Sequence, residues 1–453
     1  MTAGSIRRSV SGACLPDAAD ASADGVSRED TIFAHSSGRP PAAIAVVRIS
    51  GPLAHQAGRA LGGTLPDSRH AALRTVRDTA GMELDRALVL RFDGPASATG
   101  EDLVELHCHG GRAVVQAVLH ALGGMEGLRQ AEPGEFTRRS LQNGRIDLTE
   151  AEGLADLLEA ETESQRRSAL ALAQGGLKQQ VERWRAELVS LSAQAEAAID
   201  YVGDEDETST DEVRLARKAQ DLASELEGWL AQPRAERLKD GVRVVLAGPP
   251  NSGKSSLLNA LVGEDRAIVT ELAGTTRDII EVPLALGGVP LLLIDTAGIR
   301  TSADAVENIG IELANQQMAA ADILLWLGQP EDAPTHANLL RLHSRADAAG
   351  RGDTPVGSIA ISSVTGQGLP QLREELVARA HKLLPPSGQL ALNSRQAAAI
   401  AQIAESLREV RSGDIVLTAE ALRSARAALD RLTGAAGLED MLDALFGRFC
   451  LGK

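Results

Sequence analysis

Aromatic rings are scarce in this chain of 453 residues: five Phe, three Trp and one Tyr make up 2% of it. Few platforms remain for stacking exposed bases, which is one of the two usual grips on single-stranded nucleic acid. The other grip, positive charge, is in deficit too. With 46 Lys and Arg against 62 Asp and Glu, the formal net charge is −16. A broad footprint on phosphate backbones is therefore excluded, DNA is not an expected ligand, and any contact with RNA should be local or supplied by a partner. Three cysteines, Cys14, Cys108 and Cys450, are too few and too scattered for a disulfide framework or a four-ligand zinc site, which suits a reducing cytoplasm. No apolar run approaches the roughly 18 to 20 residues that span a bilayer, so no membrane attachment is expected. Residues 1–28 lack both hydrophobic periodicity and the apolar centre of a secretory signal. Asp17, Asp20 and Asp24 argue against a transit peptide, and the segment is expected to be a disordered tail.

What remains is an ordinary globular composition, 43% hydrophobic and 24% charged, in a chain long enough for about two to four domains. Over residues 29–148, short apolar runs at Ala43 to Ile49, Ala87 to Phe92 and Leu103 to Cys108 predict strands. Arg112 to Leu122 predicts a helix among them, giving an α+β domain. Residues 149–240 shift to Ala, Leu, Glu, Gln and Arg and predict long amphipathic helices, interrupted at Gly175-Gly176 and at an acidic loop from Gly203 to Glu207. Residues 241–384 return to alternating strands and helices, an α/β domain with a mostly parallel sheet that opens on the strand Val242 to Ala247 and is closed by Pro385-Pro386. Residues 385–453 are helical again. Two helical stretches of like composition flanking an α/β domain predict a domain inserted into one discontinuous helical bundle.

Gly248-Pro249-Pro250-Asn251-Ser252-Gly253-Lys254-Ser255 matches G-x-x-x-x-G-K-S between a predicted strand and the helical run that starts at Ser256. In that pattern the glycines let backbone N–H groups wrap phosphates, the helix N-terminus adds partial positive charge, and Lys254 reaches the β- and γ-oxygens. Ser255 is placed to hold Mg2+. Downstream, the run Thr270, Glu271, Leu272, Ala273, Gly274, Thr275 and Thr276 is expected to line the nucleotide, with the Thr276 hydroxyl sensing the γ-phosphate and closing the magnesium shell. A hairpin around Gly287-Gly288 then leads into Asp295-Thr296-Ala297-Gly298, where an Asp ending a buried strand suits a magnesium-associated carboxylate and Gly298 can donate its N–H to the γ-phosphate. Order and spacing predict a Ras-like P-loop GTPase binding GTP with Mg2+.

Two positions depart from the usual GTPase pattern. The residue after Gly298 is Ile299, which can neither orient water nor supply charge as the Ras-like glutamine and an arginine finger do. Guanine recognition normally uses Asn-Lys-x-Asp; the corresponding stretch here is Ser344-Arg345-Ala346-Asp347. Asp347 is retained, and Ser362, Ser363 and Val364 form the next base-contacting stretch. We expect GTP preference with weaker affinity, since one lost hydrogen bond costs about 0.5 to 1.5 kcal/mol.

Beyond the GTPase motifs, the chain resembles the MnmE (TrmE) tRNA-modification GTPase family over most of residues 29–453. The carrying residues are Asp30-Thr31-Ile32 with Val47-Arg48-Ile49-Ser50-Gly51, Gly100-Glu101-Asp102 through His109-Gly110-Gly111, Pro133-Gly134-Glu135-Phe136-Thr137 through Glu152, and the terminal Cys450-Leu451-Gly452-Lys453. The resemblance implies an N-terminal α+β domain that binds a 5-formyl- or methylene-tetrahydrofolate and forms a homodimer, with Arg48, Glu105, Arg145 and Lys453 as folate contacts. It makes Cys450 a candidate in the modification chemistry. It implies that Glu307 acts through a bridging water, and that K+ replaces the arginine finger, held by Asn251, Thr270, Leu272 and Thr275 when two GTPase domains meet. Family members work with the flavoprotein MnmG, as a heterotetramer, to place a carboxymethylaminomethyl or aminomethyl group on C5 of the wobble uridine of certain tRNAs. This chain has no G-x-G-x-x-G fingerprint after a strand, so FAD is expected on the partner, which would also hold most of the tRNA. Arg145 stands where the family commonly has Lys, and Gly38-Arg39-Pro40-Pro41-Ala42-Ala43 replaces a glycine-rich run. A ribosome-assembly GTPase of the Era or Der type, and a nucleotide-binding scaffold with little hydrolysis, remain alternative readings.

Overall fold

A computed structural model describes residues 30–200, 205–264, 280–296, 304–351, 353–386, 389–434, 439–447, 449 and 452. The side chains of residues 200, 205–211, 264, 304–311, 439–441 and 444 lie outside this description, as does the expected N-terminal tail. The chain divides into two compact units, residues 1–136 with 451–453, and residues 137–450.

The first unit is built on strands β1 (Thr31–His35) and β2 (Ile44–Ser50), helix α1 (Ala54–Gly62), strands β3 (Ala71–Arg77), β4 (Glu83–Phe92) and β5 (Leu103–His109), helix α2 (Arg112–Gly123) and strand β6 (Leu128–Gln130). Its sheet has the order β3-β4-β5-β2-β1-β6, antiparallel except where β6 runs parallel to β1. Alternation along β5 decides which side chains do what. Val104, Leu106 and Cys108 enter a core shared with Val47, Ile49, Leu61, Val89 and Leu122, so Glu105 and His107 face the other way. Burial, followed by the nearby Asp85 carboxylate, pushes the Cys108 thiol up to about 12, which leaves it an inert apolar filler at neutral pH. The sequence reading found β2, β4, β5 and α2 but passed over β1, β3, β6 and α1, whose apolar positions are too few or too polar-flanked to stand out.

Helix α3 (Glu135–Gln142) carries the chain past Phe136 into the second unit. There α4 (Leu148–Glu159), α5 (Glu163–Ala173), α6 (Gly176–Asp200), α7 (Glu205–Leu230) and the short α8 (Glu236–Lys239) come first. The alternating segment follows: β7 (Val242–Ala247), α9 (Lys254–Glu264), β8 (Ile280–Leu286), β9 (Val289–Asp295), α10 (Asp304–Ala319), β10 (Ile323–Trp326), β11 (Leu339–Ser344), β12 (Ser358–Ile361) and α11 (Leu369–Leu383). Helices α12 (Ser394–Glu409), α13 (Ile415–Thr433) and α14 (Glu439–Phe446) complete the chain. One expectation shifts: α7 already starts at Glu205, so part of the acidic stretch from Gly203 to Glu207 is helix and the rest lies outside the described residues. Acidic residues suit a first helical turn, where they face the positive end of the helix dipole.

One apolar core runs through helices on both sides of the alternating segment. Leu177, Trp184, Leu188, Leu222 and Leu226 pack with Ile400, Ile403, Leu407, Leu422 and Leu429. Trp184 meets Trp229 edge-on at 5.6 Å and donates its ring N–H to Glu225, which satisfies the one polar atom the ring buries. Around this core the two helical stretches are clasped by charge. Arg395 on α12 makes two bonds to Glu152 on α4, at 2.6 and 2.9 Å, Gln396 adds a third at 2.7 Å, and the same guanidinium donates to the carbonyls of Arg431 and Leu432. The second sheet has the order β12-β11-β10-β7-β9-β8, parallel throughout except for β8 against β9. No helix among the described residues is long and apolar enough to cross a membrane.

Because most of the Glu152–Arg395 pair is withdrawn from water, Glu152→Ala should cost about 2 kcal/mol, between a surface pair and a fully buried one. The measurement is the urea midpoint followed by tryptophan fluorescence; an unchanged midpoint would refute the clasp.

Candidate nucleotide-binding site

The alternating segment places its polar residues at the carboxyl ends of its strands, the rim where open α/β sheets receive ligands. Strand β7 is buried along nearly its whole length, and the chain leaves it through Gly248 at φ +146°. A Cβ at Gly248 would lie 3.1 Å from the carbonyl carbon of Leu327, so this turn requires glycine on both conformational and steric grounds. The loop passes through Asn251 at φ +59° and Gly253 at φ +97° before α9 begins at Lys254. Asparagine is among the few side chains that tolerate the left-handed region.

Lys254 is 6% exposed, and its ammonium lies 3.0 Å from the carbonyl oxygens of both Gly248 and Pro249. The cation is thus held inside the loop, beside the positive end of α9. Ser255 donates from Oγ to Asp295 Oδ2 at 2.6 Å, and Asp295 ends β9 with 1% exposure. Next to it, Thr296 Oγ1 donates to the Leu246 carbonyl at 2.8 Å and ties β9's end to β7. Among the described residues Ser252 Oγ is buried without a hydrogen-bond partner, an uncommon condition that a phosphate oxygen at the loop would relieve. A hydroxyl and a carboxylate in contact, with a caged ammonium alongside, form a donor set fit for Mg2+ and a polyphosphate.

On the base side, Ser344 ends β11 and Asp347 is exposed in the turn that follows. Ser362 is fully buried after β12, with Ser363 half-buried and Val364 87% exposed beyond it. Asn251 and Ser256 are exposed at the loop and the first turn of α9. The expected contacts Thr270, Glu271, Leu272, Ala273, Gly274, Thr275, Thr276, Ala297 and Gly298 lie outside the described residues, and with them most of the expected K+ cage. Glu307 falls on α10, its side chain outside the description.

Residues 31–145 match the family described as GTP-binding protein TrmE N-terminus, and residues 148–450 match the MnmE helical domain. A tRNA modification GTPase MnmE from Erythrobacter litoralis is 53% identical over 94% of this chain and 100% of its own length. One from Rhizorhabdus wittichii is 53% identical over 97% and 100%, and one from Zymomonas mobilis 49% over 93% and 100%. The chain belongs to the MnmE family of tRNA modification GTPases. Among solved structures, the G domain of the T. maritima FeoB iron transporter aligns at 27% identity over 31% of this chain and 98% of its own, with a TM-score of 0.24, too low to bear on the fold.

Of the residues that the MnmE resemblance assigns to folate, Arg48 and Glu105 are direct cross-strand partners in the first unit. Arg48 Nε and Nη2 both donate to Glu105 Oε1, at 3.0 and 2.9 Å. His107 Nε2 lies 3.2 Å from Oε2, and the guanidinium covers the Phe136 ring. Arg145 is exposed in the turn before α4 in the second unit, while Lys453 and Cys450 lie outside the described residues. Other clusters offer less. His55, Asp93 and Asp102 come within ion-binding reach of one another, but the ring already uses Nδ1 toward Asp102 and Nε2 toward the Phe92 carbonyl. A cavity of about 370 Å3 is lined in part by Asp156, Leu172, Leu238 and Lys239; its ammonium is taken by Asp156 at 2.7 Å, so it has no grip for phosphates.

Replacing Lys254 by Ala should weaken GDP binding about tenfold to a hundredfold, the worth of charge-assisted hydrogen bonds to phosphate. Isothermal titration would show it; wild-type affinity in the variant would dissociate the loop from the nucleotide.

Proposed function

We propose that this MnmE-family GTPase binds GTP with Mg2+ in the loop at residues 248–255 and hydrolyses it in a potassium-dependent way to drive modification of tRNA. The observation that carries the reading is the contact between Ser255 and Asp295 at 2.6 Å beside the caged Lys254 ammonium. With nucleotide bound, Lys254 would turn from the loop carbonyls to the β- and γ-oxygens. Ser255, joined by Thr276, would hold Mg2+, and Asp295 would anchor its water shell. Mg2+ and K+ supply positive charge where negative charge develops in phosphoryl transfer. Asn251, with Thr270, Leu272 and Thr275, would hold K+. Glu307, acting through a water, would orient the nucleophile in place of a glutamine, since Ile299 cannot.

Folate and the partners follow from family membership. Glu105 retains acceptor capacity for a pterin's N–H edge, because a carboxylate has about four lone-pair sites, and Arg48 beside it can balance the charge. Arg145 and Lys453 are proposed for the acidic tail of the folate, and Cys450 for the modification chemistry. A homodimer through the first unit is supported by the sheet face opposite its core, where Leu73, Leu88, His107 and Val46 align in one row across four strands. Leu73 is 55% exposed on that face and Ile44 59%, apolar side chains that a second copy could cover in a two-fold contact. MnmG is the proposed flavin-bearing partner in a heterotetramer, and C5 of the wobble uridine the proposed target, in the cytoplasm. The net charge of −16 supports leaving most tRNA contact to that partner.

Hydrolysis should be at least tenfold faster in potassium than in sodium at equal ionic strength. Glu307→Ala should lower it about a hundredfold while GDP affinity holds, as expected for a group acting in the transition state. Equal rates in the two salts would remove the potassium role, and weaker GDP binding in the Glu307 variant would recast that residue as a binding group. Deleting the gene should remove the C5 group from the wobble uridine, read by mass analysis of digested tRNA; unchanged tRNA would refute the modification role.

A further inference from the structure

The cavity of about 370 Å3 bounded by α4, α5 and α8 has a chemical character that neither a nucleotide nor a folate would use. One wall is apolar, formed by Ala169 and Leu172 of α5 with Leu238 of α8, all buried. Around it stand the carboxylates of Asp156, Glu159, Glu161 and Asp240, against the single ammonium of Lys239. That ammonium lies 2.7 Å from Asp156 and 3.9 Å from Glu159, so these two already share it. Glu161 and Asp240 have no side-chain hydrogen bond or ion pair among the described residues. Partial burial, with nothing to offset it, raises the Glu161 carboxyl above its ordinary value, as expected of a carboxylate that loses water without gaining a cation.

An independent sign of a ligand comes from Ser168 on α5. It is 9% exposed and lines the cavity, yet its hydroxyl has no hydrogen-bond partner among the described residues. An unpaired hydroxyl at such depth is uncommon, and its oxygen can accept from an N–H group. The two sides of the cavity are tied by Gln165. Its Oε1 accepts the backbone N–H groups of Glu161 and Thr162 at 3.0 and 2.9 Å, while Nε2 donates to the Lys239 carbonyl at 3.3 Å. An excess of carboxylates repels anions. A hard divalent metal needs a full shell of oxygen ligands and gains nothing from alanine and leucine. Ammonium groups joined by methylenes match both parts, because the charges meet the carboxylates and the hydrocarbon covers the apolar wall. We propose that this cavity is a binding site for a linear aliphatic polyamine. Glu161 and Asp240 hold its ammonium groups, Ser168 accepts from one of them, and Leu172 and Leu238 pack on the methylenes.

The probe is spermidine, titrated calorimetrically into the full chain at physiological ionic strength, where one molecule should bind per chain. Hexaamminecobalt(III), equal in charge but without hydrocarbon, should bind at least about tenfold more weakly, as expected when several methylenes are buried. Glu161→Gln combined with Asp240→Asn, both exposed residues, should weaken spermidine about tenfold, the worth of charge-assisted hydrogen bonds near a surface. Glu331→Gln combined with Asp332→Asn removes the same charge from an exposed turn after β10 and should leave spermidine affinity unchanged. Absence of saturable binding, equal affinity for the two cations, or equal weakening by the two pairs of substitutions would each overturn the proposal. None of these outcomes bears on the nucleotide reading of the phosphate loop.

Discussion

A phosphate grip made of backbone is only as good as the conformation of that backbone, and between Gly248 and Gly253 the chain holds one that most residues resist. Three of its φ angles are positive, at Gly248, Asn251 and Gly253. Left-handed conformations cost ordinary residues of order 1 kcal/mol each, which glycine escapes and asparagine tolerates, so residue choice permits the loop and its fixed ends select it. At one end β7 is buried between β9 and β10; Leu327 N–H closes on the Ala247 carbonyl at 2.8 Å, and the adjoining backbone packs where a Gly248 side chain would go. At the other end α9 begins at once, burying Leu257, Leu258 and Leu261 in the sheet's core. The Lys254 ammonium then occupies the concavity these ends impose. Packing far from any ligand thus sets the directions of the groups that would meet one.

The helical part of the second unit meets a related problem, a core assembled from segments far apart in sequence. Apolar packing alone would allow the helices to slide, because leucine and alanine faces complement one another in several registers. Directional bonds remove that freedom. Arg395 can satisfy Glu152 and two helix-terminal carbonyls only at one setting of α12 against α4 and α13. At the crossing of α4 with α5, Gly153 lets the backbones approach so closely that a Cβ there would lie 2.5 Å from the Ala173 nitrogen. Charge and close approach specify the register, while the apolar core supplies the larger share of the stabilisation.

How much of this could be read from the sequence follows the same division. The loop at residues 248–255 and Asp295 were legible because their spacing is local and their residue types are dictated by backbone needs. The long helices were legible because composition over many residues leaves little choice. Arg48 and Glu105 could be singled out by resemblance, but not their pairing, because register between β2 and β5 joins residues 57 apart in sequence. Ser344 shows the limit best. In the sequence it is a missing asparagine and reads as a deficit; only the fold brings its hydroxyl to the Ser252 carbonyl, 92 residues away. Long-range polar contacts of this kind carry no local pattern. The edge strands β3 and β6 were missed for a simpler reason, since a strand with a wet face barely differs from a loop in composition, and β1, buried between β2 and β6, is too short at five residues to show a period.

The second sheet uses its two ends differently, and that separation bears on how a nucleotide could influence the helices. Lys254, Ser255, Asp295 and Ser344 gather at the carboxyl ends of the strands. The helices meet the amino ends. Ser164 Oγ on α5 donates to the Gly288 carbonyl just before β9, Gln165 donates to the Lys239 carbonyl just before β7, and Arg237 on α8 pairs with Asp322 just before β10 at 2.8 Å. Strands of six or seven residues separate the two sets, about 20 Å at the usual rise. Strand β9 carries Asp295 at one end and adjoins the Gly288 turn at the other. A strand hydrogen-bonded on both sides resists bending, so a shift of Asp295 along the strand axis is not easily absorbed within it. The turn that begins β9 is bonded to α5, so this strand joins the rim that carries Asp295 to the end that meets the helices.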